Sequence, residues 1–372
     1  MIYPADDFRI NNNSLPPASH GGNRWAAQEK WGIAAESFLD FSASINPLGP
    51  PPMSLQAIQD NLPALEYYPE PGGAELKKAL AEYLQIGEQG IVLGNGSTEL
   101  IYLCTRLFCR RRVVVLAPSF SEYGQGVDNP RLVKVDIDLK SLKLPITEIA
   151  TVLKEGDVLF IANPNNPTGN LFARWELLLV LELVKDRQAT LVVDEAFIDF
   201  AEDKSASLRD VCSQVPNLVV LGSLTKFFAL PGLRIGYALS NDAHNRKMER
   251  LLPPWRINSL ALAAGSAALK DQDYIQSTLR LIARERDFLD YSLNQIPGLS
   301  VYPAQANFIL IDAKDLGITA DQLQDLLGPQ GILIRDCSNF DNLSPYHLRV
   351  AVRSHPENEI LVAALKEALI RK

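Results

Sequence analysis

From about residue 74 the sequence alternates between two apolar periods, and this alternation restricts the possible folds more than any other feature. Stretches with apolar positions three and four apart occur at Ala74–Gln85, Ser97–Cys109 and 174–187. Between and after them lie short β-rich apolar runs at Ile91–Leu93, Val113–Leu116, 132–137, 158–162, 190–194, 218–222 and 234–239. The first kind reads as helix and the second as strand buried on both faces. Their alternation predicts an α/β fold with a mostly parallel sheet covered by helices on both sides. A longer periodic stretch, about 258–294, reads as helix. Beyond it Asn307–Ala313, Ile332–Cys337 and His347–Val352 read as strands, with helices near 320–327 and 356–371, which predicts a small α+β domain.

A chain of 372 residues exceeds what one hydrophobic core usually supports. The expected division is an N-terminal arm at 1–50, a large domain at 51–255, and an interdomain helix with the small domain at 256–372. The arm is expected to be irregular, because turn formers cluster at Asn11-Asn12-Asn13, Pro16-Pro17, Gly21-Gly22 and from Pro47 to Pro52. An arm of that length is disordered, a functional wrap, or both.

A net charge of −8 argues against general affinity for nucleic acid or anionic membranes. The one basic run, Arg110-Arg111-Arg112, follows an amphipathic stretch, where cations suit a helix C-terminus. Converging arginines can still bind a small anion. No window holds 18 consecutive apolar residues, so no membrane span is expected. The start, MIYPADDFRI, lacks the features of a signal peptide and implies a cytoplasmic protein. Cys104, Cys109, Cys212 and Cys337 form no metal-ligand spacing and read as free thiols.

Four segments could carry chemistry, and each has an ordinary alternative. Gly94-Asn95-Gly96-Ser97-Thr98-Glu99 follows an apolar run and opens a helix, so phosphate oxygens could approach the free N–H groups there. A dinucleotide fingerprint is the rival, but Glu99 replaces its third glycine and no ribose-binding acid follows. Asn163-Pro164-Asn165-Asn166-Pro167-Thr168-Gly169 ends a strand and could be a plain turn. Asp194 closes the run Val192-Val193-Asp194 and, if buried, needs a cation or a protonated ring opposite it. Lys226 closes Ser223-Leu224-Thr225-Lys226, with Arg234 eight residues later. A lysine at a strand end is usually solvated, yet strand ends are also where open α/β sheets place ligands.

In this order the four segments resemble the fold-type I pyridoxal-phosphate enzymes, the aspartate aminotransferase superfamily, over nearly the whole chain. The resemblance implies a large, mostly parallel-sheet domain plus a small α+β domain, with pyridoxal 5′-phosphate as cofactor. It implies that Lys226 holds the cofactor as a Schiff base and then carries protons, and that Asp194 pairs with its protonated ring nitrogen. Asn166 would bond the ring's 3′ oxygen and Phe120 would stack on its face. Gly96, Ser97, Thr98, Ser223, Thr225 and Arg234 would hold its phosphate, and Arg349 would grip a substrate carboxylate. Phe197 stands where many relatives carry a tyrosine that donates to the 3′ oxygen.

Within the superfamily the chain resembles two branches that act on phosphorylated amines, the threonine-phosphate decarboxylases and the histidinol-phosphate aminotransferases. Tyr67-Tyr68-Pro69-Glu70-Pro71 fits both and implies a homodimer in which Tyr68 reaches the partner's cofactor phosphate. Arg335 also fits both, as a ligand for the substrate phosphate. Three segments favour the decarboxylases: His20-Gly21-Gly22-Asn23, the run from Asp40 to Gly49, and Cys337-Ser338-Asn339-Phe340 followed by Arg349-Val350-Ala351-Val352-Arg353. A glycine pair lets backbone N–H groups face an anion, and an adjacent histidine can add charge, although such a motif can also be a loose turn. The implied substrate contacts are His20, Gly21, Ser44, Asn166, Arg335 and Arg349, with Ser44 standing where that branch often has asparagine. The expected reaction is decarboxylation of O-phospho-L-threonine to 1-amino-2-propanol phosphate, a step of cobalamin biosynthesis. The alternative is transamination of histidinol phosphate. A ligand-sensing regulator of this fold would add a DNA-binding domain, which this acidic chain lacks before the fold begins.

Overall fold

Residues 20–127 and 131–370 are described by the structure, a computed structural model, so the turn formers at Asn11–Asn13 and Pro16-Pro17 lie outside the described residues. The first strand, β1 (Leu39–Asp40), belongs to the arm. The next seven build one sheet: β2 (Ile91–Asn95), β3 (Val113–Ala117), β4 (Leu132–Asp136), β5 (Val158–Ala162), β6 (Thr190–Asp194), β7 (Leu218–Ser223) and β8 (Ile235–Leu239). Their spatial order is β2-β8-β7-β6-β5-β3-β4, and every pairing is parallel except the two made by β8.

Alternate side chains of these strands enter two different cores. Leu159, Ile161, Leu191, Val193 and Val220 face the helices Ala74–Leu84 and Arg174–Asp186. Phe160, Val192, Val219 and Leu221 face the helices Ser97–Phe108 and Asp242–Leu251. Burial on both faces is why the strands read as unbroken apolar runs.

Five further strands follow: β9 (Ser300–Val301), β10 (Phe308–Asp312), β11 (Ile332–Leu333), β12 (Arg335–Asp336) and β13 (His347–Ala351). Four of them form an antiparallel sheet in the order β12-β13-β10-β9. The expected strand Ile332–Cys337 is therefore two strands, because β11 leaves this sheet to pair in parallel with β1.

The arm departs from expectation over its described part. It holds a helix, Arg24–Trp31, whose start is capped by Asn23 Oδ1 accepting from Ala26 N–H at 3.1 Å. Gly32 then ends the helix, and Leu39 N–H and Phe41 N–H donate to Gly331 O and Leu333 O, each at 2.8 Å. The segment is thus built into the small sheets. The expected single helix at 258–294 is also divided, into Ser259–Lys270 and Gln272–Asn294. Asp271 makes the break, its carboxylate capping the second helix by accepting from Tyr274 N–H at 3.1 Å. A cap interrupts the backbone without disturbing the apolar period, so periodicity alone does not reveal it.

The run Arg110–Arg112 lies just past the helix Ser97–Phe108, where Arg112 pairs with the buried Asp157 at 2.6 Å. All four cysteines are free. Among the described residues no helix is long and apolar enough to cross a membrane, and no acidic, histidine or cysteine cluster could hold a metal ion.

Leu191 is fully buried mid-sheet, with neighbours on both β5 and β7. Leu191→Ala should cost about 2–5 kcal/mol of stability, read as a lower urea midpoint with an unchanged slope.

Candidate active site

Parallel pairing brings the ends of β5, β6 and β7 to one edge of the sheet. Asp194 ends β6 between its register partners Ala162 of β5 and Leu221 of β7. Ser223 ends β7, and two residues on Thr225 Oγ1 lies 2.8 Å from Ser223 Oγ. A cavity of about 210 Å³ opens here. It is lined by Ser97, Thr98, Phe120, Asn166, Asp194, Ser223, Thr225, Lys226 and Arg234 on the large-sheet side. His20, Gly21 and Ser44 from the arm, with Arg335 and Arg349 from the small sheet, also line it.

The helix Ser97–Phe108 starts at this cavity, and its first N–H groups have no carbonyl within the helix to bond. Gly96 precedes it at φ 80°, a conformation that calls for glycine, and a Cβ there would push against the Arg234 guanidinium. Gly96 itself does not line the cavity. Glu99 turns back to accept from Asn95 N–H at 2.6 Å, which accounts for an acid at that position.

Burial pushes Asp194 above the usual carboxylate range, opposed by hydrogen bonds from Tyr123 O–H at 2.7 Å and Ala196 N–H at 3.0 Å. Lys226 is pushed down to about 8, mainly by burial and then by Arg349 and Arg234. Its ammonium lies 5.9 Å over the ring of Phe197, the residue in the tyrosine's expected place.

Arg335 and Arg349 are register partners on β12 and β13, so their side chains leave the same face. Each is 7% exposed. Arg349 donates to Asn166 Oδ1 and, at 3.2 Å, to Ser42 O, while Arg335 donates to Asn339 Oδ1 at 2.8 Å. Among the described residues neither forms a salt bridge, although Asp336 acts favourably on Arg335 and Asp40 on Arg349 from farther off. Burial lowers both guanidinium pKa values, Arg349 to about 10, with Arg335 adding to the effect on Arg349. Ser44 Oγ and Arg349 Nε are buried with no partner. Buried charge without a counter-ion is costly, so this wall is built to receive anions.

His20 Nε2 lies 2.9 Å from Glu122 Oε1 and its ring 5.7 Å from Phe120, at the cavity mouth. Gly21 packs so closely that a Cβ would lie 2.1 Å from Ser42 O. Tyr68 does not reach this cavity: it is 80% exposed and stacks on Trp255 at 4.7 Å. Arg353 is also outside, bonded to Glu357 and to Asp40 O. Sequence reasoning gave no role to Tyr123, Ser121, Ser42 or Phe340, all of which line the cavity. For Tyr123 the available signal was a polar-tipped aromatic three positions after Phe120, which needs a partner if buried.

An open-sheet α/β fold with a lysine, an aspartate and a helix start at one strand edge defines the class. The chain belongs to the aminotransferase class I and II family, whose model matches residues 36–365, and it is a pyridoxal-phosphate-dependent enzyme. It is 39% identical over 358 residues to the threonine-phosphate decarboxylase of Salmonella typhimurium, covering 95% of this chain and 97% of that protein. Among solved structures it is similar to the histidinol-phosphate aminotransferase of Clostridium acetobutylicum, at TM-score 0.83 and 33% identity over 89% of this chain and 99% of that one. It is also similar to the L-threonine-O-3-phosphate decarboxylase of Porphyromonas gingivalis, at TM-score 0.78 and 26% identity with the same coverages.

The residues present fit the cofactor. An amine of lowered pKa, a buried carboxylate without a cation in hydrogen-bond range, and a helix start beside two hydroxyls suit its aldehyde, ring nitrogen and phosphate. If Lys226 is the attachment point, borohydride reduction of the holoenzyme should fix the label on Lys226 alone, and Lys226→Ala should lose turnover by several orders of magnitude. Only the neutral amine attacks, so capture of the cofactor by apoprotein should rise with pH up to about 8 and then level off.

Proposed function

We propose that this enzyme decarboxylates O-phospho-L-threonine, releasing carbon dioxide and 1-amino-2-propanol phosphate, and so serves cobalamin biosynthesis. The observation that carries this reading is the pair Arg335 and Arg349, buried side by side and hydrogen-bonded to neutral oxygens, with Asp336 and Asp40 acting on them only at a distance. O-Phosphothreonine brings two anions on one small skeleton. Histidinol phosphate brings a phosphate and no carboxylate, so it would meet one guanidinium, and in a transamination only the dicarboxylic keto-acid partner would meet both. The identity to the Salmonella decarboxylase supports the same choice.

Arg349 binds the carboxylate, and Arg335 binds the phosphate with help from His20 and the Gly21 backbone. Ser44 Oγ, buried and unpartnered, offers a further hydroxyl to the substrate. Asn166 already accepts from Arg349 through Oδ1, so its amide N–H is left to donate to the ring's 3′ oxygen, linking the substrate anchor to the cofactor. Asp194 would hold the ring nitrogen's proton, Phe120 would cover a ring face, and Ser97, Thr98, Ser223, Thr225 and Arg234 would surround the phosphate, with Gly96 shaping the turn that presents Ser97. When bound, the cofactor supplies a sink for the electron pair left at Cα as the bond to the carboxylate breaks. Lys226 Nζ, poised near neutrality, then delivers a proton to Cα.

The active unit is a homodimer. Leu62, Leu65, Tyr67 and Tyr68 are 50–80% exposed on one segment, an apolar surface suited to a second copy. Tyr68 would cross to the partner's cofactor phosphate. Mixing inactive Lys226→Ala with a weakened Tyr68→Phe variant should then restore activity, since one site of each heterodimer has both groups intact. The free thiols support a cytoplasmic setting.

Arg335→Ala should raise KM for O-phosphothreonine about tenfold or more, because losing one partner of a desolvated charge pair costs about 2–5 kcal/mol. Carbon dioxide should form without a keto-acid acceptor. A requirement for 2-oxoglutarate with preference for histidinol phosphate would assign the transamination instead.

A further inference from the structure

Tyr123 sits in the cavity wall beneath Phe120, 1% exposed. Its ring stacks on Phe160 at 5.1 Å and 9°, and Phe120 meets it edge-on at 5.6 Å. Held between these rings, its hydroxyl donates to Asp194 Oδ2 at 2.7 Å, while Asp194 Oδ1 accepts from Ala196 N–H at 3.0 Å. The described hydrogen bonds to this carboxylate are these two.

Burial of Asp194 favours its neutral form, and a neutral acid carries no charge to pair with a protonated ring nitrogen. The two donors favour the anion. Ala196 N–H is fixed by the turn after β6 and Lys226 acts on the carboxylate only at a distance, which leaves Tyr123 as the side chain hydrogen-bonded to it. Burial and the neighbouring carboxylate raise the phenol well above its usual range, so it stays protonated and remains a donor at working pH.

We propose that Tyr123 is a positioning residue that keeps Asp194 ionised and aimed at the cofactor's ring nitrogen. Its edge contact with Phe120 also fixes the group on the ring's face relative to the group at its nitrogen. This inference rests on the role proposed above for Asp194, and the test separates the two.

The experiment compares wild type, Tyr123→Phe and Asp194→Asn as holoenzymes carrying cofactor isotopically labelled at its ring nitrogen. The nitrogen's NMR signal reports whether it is protonated, and kcat and KM for O-phosphothreonine are measured alongside. Phenylalanine keeps both ring contacts, so the variant should fold, and its thermal midpoint checks this. Tyr123→Phe should shift the signal toward the unprotonated position and lower kcat about tenfold to a hundredfold, the worth of a hydrogen bond to a charged group, with KM within about twofold. A merely structural tyrosine would lower the thermal midpoint and leave the nitrogen signal in place. If only Asp194→Asn moves the signal, Tyr123 has no such role and the reading of Asp194 stands. If neither variant moves it, the role of Asp194 fails and this proposal fails with it.

Discussion

Parallel pairing of β5, β6 and β7 points the three strands the same way, so their last residues meet at one edge. The register then sets Asp194 between Ala162 and Leu221, one strand from the hydroxyls that lead to Lys226. The carboxylate ends its ladder, and the lysine lies three residues past one, in a turn anchored by Leu224 N–H donating to Ile235 O. Both inherit position from ladders whose side chains are buried on both faces, where a slip of one residue would exchange the two cores. β8 runs against its neighbours, and its start therefore lies at this same edge, which brings Arg234 to the head of the helix Ser97–Phe108.

The small sheet supplies the opposite wall by the same means. Cross-strand pairing puts Arg335 beside Arg349, and like charges so placed repel, the more so when buried. Neutral oxygens of Asn166, Ser42 and Asn339 orient the two guanidiniums without neutralising them. A protein carboxylate there would be more stable and would compete with any anionic ligand. The fold thus keeps two cations free of salt bridges where binding needs them.

Much of the fold could be read in the sequence because strands buried on both faces leave a plain trace, as Val158–Ala162 and Leu218–Ser223 do. The break at Asp271 and the helix Arg24–Trp31 could not, since each depends on a side-chain cap rather than on apolar period. The division of β11 from β12 depends on a partner from the distant arm, which local pattern does not register. In the site, Lys226, Asp194 and Asn166 were legible from motif order. The adjacency of Arg335 and Arg349 was not, because it is a fact of register, and Tyr123 stood out only once its burial was known.

The arm's attachments carry a mechanical consequence. Leu39 and Phe41 are bonded to the β11 segment, Ala351 N–H to Phe41 O, and Arg353 to Asp40 O, so this stretch of arm is stitched to the strands that bear the two arginines. Just beyond it, Asn46 is fastened to the other side: its N–H donates to Lys226 O, and its amide donates to Phe227 O and Thr278. The stretch from Leu39 to Ser42 is therefore tied to the arginine strands, and Asn46, two residues past the unpartnered Ser44 hydroxyl, ties the same stretch of chain to the segment that bears the lysine.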